Sequence, residues 1–92
     1  MFQLIFTQQF KRKEIQFLKR HPEFRQPYAK TLQLLAANPA HPSLRLHPLR
    51  GKHEGLHSVS TNLSYRITLE LLIQDQQITP VNVGDHDAVY SR

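Results

Sequence analysis

Arg66, His86 and Tyr90, side chains able to hold a phosphate, move a proton or stack on a base, stand in the last third of the sequence. His86 stands between Asp85 and Asp87, and imidazole is the one side chain that exchanges protons near neutral pH without a large perturbation. A flanking carboxylate that turned toward the ring would favour its charged form. Arg66, between Tyr65 and Ile67, supplies a permanently charged planar fork suited to phosphate. On a strand it points away from those two apolar neighbours. Tyr90 offers an aromatic face for a nucleobase or a hydroxyl for a reacting group. His47, in the run LHPL, is a second acid/base candidate. Each residue also has a plainer use: a surface tail histidine, a cross-strand partner, a packing aromatic at the chain end, and a loop histidine shaped by Pro48.

Six histidines raise the question of a metal. His41, His47, His53 and His57 recur through a loop-to-strand region, on no helix and with no cysteine beside them, so neither a metal nor a small-molecule cofactor is expected. The lack of cysteine also excludes a disulfide scaffold and thiolate chemistry, and suits a reducing cytosol. Twelve Lys and Arg against seven Asp and Glu give a formal charge of +5 and a pI near 10.0. Such a field attracts nucleic acid or an acidic protein, solubility being the plainer reading. Lys11, Arg12, Lys13, Lys19, Arg20, Arg45, Arg50 and Lys52 are expected to form a phosphate-binding surface that positions RNA rather than reading bases. A merely solvated basic face is the alternative.

The elements that must position these groups are legible from periodicity. Phe2, Leu4 and Phe6 alternate with Gln3, Ile5 and Thr7, which predicts a short buried strand. Thr7 then caps a helix from Gln8 to about Arg20, with Phe10, Glu14, Phe17 and Leu18 on one face and Arg12, Lys13, Lys19 and Arg20 on the other. His21-Pro22 interrupts it. A second helix follows from about Pro27 to Ala37, with Phe24, Tyr28, Leu32 and Leu35 along one stripe, and ends at Asn38-Pro39. Residues 39–55 read as loop, punctuated by Pro39, Pro42, Pro48, Gly51 and Gly55. Three strands follow, at Leu56 to Ser60, Tyr65 to Ile73 and Gln77 to Val83, joined by loops short enough for an antiparallel meander. A further short strand is expected near Leu44 to Leu46, and GDHDAVYSR reads as a polar tail.

The 92 residues make a single domain, α+β in class, ordered β-α-α-β-β-β with the helical hairpin packed on a small twisted antiparallel sheet. A core this small leaves any active site near the surface. The start, MFQLIFTQQFKRKE, carries too short an apolar run for a signal peptide or a membrane span, so a soluble cytoplasmic protein is expected.

That order of elements, with the segments LRLHPLRGKHEG, SYRITLEL and GDHDAVY, resembles the RelE/ParE toxin superfamily, especially its RelE and YafQ-like branches. The likeness spans nearly the whole chain. It implies a toxin of a type II toxin–antitoxin system that cleaves mRNA in the ribosomal A site without a metal and is neutralised by an acidic antitoxin. It places Arg66 at an arginine position on a strand, His86 at a catalytic basic position, Tyr90 at a catalytic or base-stacking aromatic and His47 at an active-site histidine. The sequence departs from the YafQ-like pattern where Ser60 and Ser64 stand for a histidine and an aspartate, and Tyr65 for the neighbouring aromatic. His57 is a stand-in for the missing acid/base group, away from the matching position. Two other readings remain on sequence grounds: a ParE-like inhibitor of DNA gyrase, and a toxin fold that only binds an antitoxin or nucleic acid.

Overall fold

The computed structural model describes residues 1–62 and 64–90. Helix α1 spans Gln8–Arg20, and it starts where expected because the Thr7 hydroxyl accepts the Phe10 N–H at 3.1 Å, satisfying one of the amides that a helix start leaves open. The chain turns through Pro22–Phe24 and re-enters helix as α2, Arg25–Ala37. This start precedes the expected one because Pro27 falls in the first turn, where its missing N–H costs nothing. Glu14 lies on the apolar face of α1 for a reason the structure makes plain. Its carboxylate accepts a 2.7 Å hydrogen bond from the Tyr28 hydroxyl of α2. Burial, reinforced by that bond and by the Glu14 charge, raises the Tyr28 phenol above its ordinary range.

The sheet has the order β1-β5-β4-β3-β2. Strands β3 (His57–Ser60), β4 (Tyr65–Leu72) and β5 (Gln77–Asp85) form the expected antiparallel meander. The sheet as a whole is mixed, because β1, reduced to Gln3–Leu4, pairs in parallel with β5. The extra strand, β2, is found at His47–Pro48 beside β3 rather than at Leu44 to Leu46. Leu44 is buried in a turn over Pro42–Leu44, and Arg45 adopts a left-handed φ of 52°, which breaks any extended run there. Pro80 cannot donate to a ladder, and the register shifts beside it: Leu69 pairs with Pro80 and Thr68 with Asn82, leaving Val81 as the extra residue of a bulge.

Phe10, Phe17, Phe24, Tyr28 and Leu35 of the helical layer pack on Val59, Ile67, Leu69, Ile78 and Val83 of the sheet, with Phe2, Leu4 and Phe6 against the margin. The tail departs from expectation. His86–Tyr90 is a short helix, α3, packed on β4 and β5 with Val89 only 2% exposed. Burial of that valine is what a polar tail would lack. Ser91 and Arg92 of the same segment lie outside the described residues.

Candidate functional site

Alternation along β4 divides the sheet into two faces. Tyr65 joins the helical side, its ring 5.0 Å from Phe17 and 5.1 Å from Phe24, while Ile67 is fully buried there. Arg66 therefore points to the opposite face, where its guanidinium donates to the Ser60 hydroxyl of β3 at 3.1 Å. Its partner on β5 is Gly84, which has no side chain to lay over it.

Helix α3 lies over this second face and carries two of the candidates one turn apart. The His86 and Tyr90 rings are 4.4 Å between centroids, the i,i+4 contact a single helical turn provides. Two groups hold Tyr90. Its hydroxyl donates to Ser58 on β3 at 2.9 Å, and His53 Nε2 lies 3.2 Å from its carbonyl, donating to one of the acceptors that a helix end leaves open. With the hydroxyl committed to Ser58, Tyr90 presents its ring rather than its oxygen.

His47 reaches the same place from β2. Its Nδ1 lies 2.9 Å from the Arg45 carbonyl, which can only accept, so Nδ1 carries a proton and the neutral ring has a free lone pair on Nε2. His47, Arg66, His86 and Tyr90, with Leu49, line one open groove. The four catalytic candidates thus come together from β2, β4 and α3. His86 Nδ1 is 3.8 Å from the Asp87 carboxylate, with side chains 70% and 99% exposed, so solvent largely screens whatever attraction the two groups have.

Other expectations are placed differently. Ser60 bonds Arg66 at the end of β3, whereas Ser64 sits in the β3–β4 turn, its N–H donating to Asn62 at 2.7 Å. Tyr65 is on the far face, with its hydroxyl 3.0 Å from His21 Nδ1. His57 does not stand in for the missing group: it shares a strand face with Val59, opposite Ser58 and Ser60, and its buried Nδ1 has no partner among the described residues. The cations do not make one surface. Lys11, Arg12, Lys13, Lys19 and Arg20 are on α1, against the far face, where Lys13 and Arg20 line a separate depression with Gln16, His21 and the end of β5. Arg50 flanks the groove through Leu49, Lys52 is exposed in the turn Gly51–His53, and Arg45 lines a depression that shares Arg66 with the groove.

Ser58 and His53 are the positioning residues that sequence reasoning missed. Ser58 was detectable in principle as a polar residue in phase with Ser60, but His53 gave no local signal because its partner lies 37 residues further on. Among the described residues no group of three His, Cys, Asp or Glu is arranged for a metal.

No protein-family model matches the sequence, and no curated protein matches it. Solved structures do. YafQ from E. coli superposes with a TM-score of 0.80 over 99% of this chain and 100% of that one, at 18% identity. A chain of the E. coli DinJ–YafQ complex gives 0.77 over 99% and 100%, also at 18% identity. The YoeB/ParE toxin from Agrobacterium tumefaciens gives 0.70 over 91% and 98%, at 15% identity. The chain has the fold of RelE/ParE-superfamily toxins, as its segments led us to expect.

Proposed function

Taking the RelE/ParE toxin fold as premise, we propose that this protein is the toxin of a type II toxin–antitoxin pair and a metal-free endoribonuclease that cuts mRNA on the ribosome. The observation that carries the reading is the convergence of His47, Arg66, His86 and Tyr90 on one groove. Cleavage of RNA by its own 2′-hydroxyl needs a base, an acid and a cation for the charge developing on phosphorus. His47 Nε2 takes the proton from the 2′-hydroxyl, whose oxygen then bonds the adjacent phosphorus. The 5′-oxygen leaves with a proton from His86, giving a cyclic phosphate and a free 5′-hydroxyl. Arg66 holds the non-bridging oxygens, and its bond to Ser60 fixes the fork before substrate arrives. Tyr90 stacks on a base flanking the cut.

This scheme needs no histidine or aspartate at Ser60 and Ser64, since His47 and His86 suffice as the acid/base pair. The partners are mRNA in the ribosomal A site, ribosomal RNA and an acidic antitoxin that complements the net charge of +5. A chain with the same fold occurs in a protein complex, E. coli DinJ–YafQ. Those partners imply a cytoplasmic setting. Separately, among the described residues no helix is long and apolar enough to cross a membrane.

A translation assay with wild type and His86→Ala side by side tests the reading. Wild type is expected to cut transcripts and halt growth, and the variant to do neither while staying folded. Equal toxicity of the two would count against the mechanism. An SOS response with intact mRNA would instead select a gyrase inhibitor, and growth unaffected by strong expression would select a fold that only binds.

A further inference from the structure

Arg66 lies on the wall between two depressions. On one side are His47, His86 and Tyr90; on the other are Ser43, Arg45, Ser60, Thr61 and Asn62. The second depression offers donors and no carboxylate. Among the described residues neither Arg45 nor Arg66 pairs with an acid. Asn62 Oδ1 is consumed within the β3–β4 turn, accepting the N–H groups of Ser64 and Tyr65 at 2.7 and 2.8 Å, so the end of its amide left over is the NH₂ donor. Thr61 closes the same turn by donating to the Tyr65 carbonyl at 2.9 Å. Asn62 and Thr61 are therefore held by hydrogen bonds between β3 and β4, while Arg45 comes from the end of the Pro42–Leu44 turn.

Arg45 ties this depression to the groove. Its amide donates to the Pro42 carbonyl at 3.2 Å, its carbonyl accepts from His47, and its φ of 52° is a sparsely populated conformation for a residue with a side chain. Such conformations persist where the surroundings over-determine them and collect at functional sites. The backbone that sets the His47 proton thus also aims the Arg45 side chain.

We propose that this depression is a second phosphate subsite, in which Arg45 and the Asn62 amide hold the phosphate of the nucleotide next to the scissile one, with Arg66 between the two. The proposal rests on the nuclease reading for its substrate class, single-stranded RNA. Each phosphate gripped in a single strand adds about 0.7 to the slope of log affinity against log salt.

The test uses 2′-O-methyl oligonucleotides of two, four and six residues, whose blocked nucleophile prevents cutting. Lengthening is expected to tighten binding to wild type by about tenfold, and Arg45→Gln to remove that gain and lower the salt slope by about 0.7. Arg45→Lys is expected to recover the slope. Asn62→Asp keeps the acceptor that closes the turn and puts a negative charge where the donor was, so it too should abolish the gain, which covers a folding failure of the arginine variant. A gain retained in both variants, or none in wild type, overturns the subsite. Because binding is read without cleavage, a protein that grips the longer strands yet leaves mRNA intact would sink the nuclease reading and keep the subsite.

Discussion

His86 is 70% exposed and packs only on the Tyr90 ring among the described aromatics, so replacing it tests chemistry with little cost in folding. His86→Ala is expected to lower cleavage by about 10²- to 10⁴-fold, the usual worth of a positioned acid or base, while shifting stability by less than about 0.5 kcal/mol, as for an ordinary surface site. Single-turnover cleavage and a denaturation curve on the same sample check both halves. Tyr90 separates by substitution. Tyr90→Phe loses the bond to Ser58 and about 1 kcal/mol of stability but keeps the stacking face, so most activity should survive; Tyr90→Ala should lose it. If the two variants are equally inactive, the hydroxyl rather than the ring serves the reaction. His47, Arg66, His86 and Tyr90 were visible in the sequence by residue type and by the resemblance of the segments that carry them. The sequence could not show that the Tyr90 oxygen is already spent on Ser58, since those residues are far apart in the chain.

At the scale of elements, the hairpin of α1 and α2 is fastened by Tyr28 and Glu14. The phenol's pKa is raised above its unfolded value, so the folded state holds that proton more tightly than the unfolded chain. The associated stability is complete below the ordinary phenol pKa of about 10 and is lost as pH rises above it. Tyr28→Phe should cost about 1.5–3 kcal/mol at neutral pH, as loss of a hydrogen bond to a charged group, and should flatten the alkaline decline. Urea midpoints between pH 8 and 11 would show it, and an unchanged alkaline slope would mean that another group governs the decline. Thr7, Pro27, Asn38 and Pro39 announce the helix ends because capping and proline effects are local. Helix α3 carries no such announcement. One turn is too short to show a period and too short to stand without packing; it exists because Val89 is buried and His53 meets its last carbonyl.

Across the whole molecule the positive charge is divided. The α1 cations lie against one face of the sheet, and Arg45, Arg50 and Arg66 border the groove or its neighbouring depressions on the other side. On the proposed reading, in which the protein meets both RNA and an acidic partner, each would have its own charged region. The α1 region is expected to steer the antitoxin: Lys19→Glu with Arg20→Glu should slow association by about tenfold at low ionic strength, and the difference should shrink as salt is added. Stopped-flow association at two salt concentrations checks this, and rates identical to wild type at low salt would place the encounter elsewhere.

The amino-acid order determined the helices, the meander and the direction of Arg66, because periods of 3.6 and 2 and the brevity of loops are written locally. Tertiary structure alone decided that β1 runs parallel to β5, that the cations divide, and that His57 faces the helices while His47 reaches the groove. It also decided that His86–Tyr90 folds back as a helix to bring His86 and Tyr90 beside Arg66. Those outcomes are contacts between residues remote in sequence, fixed by which buried surfaces close on one another, and no local pattern encodes them.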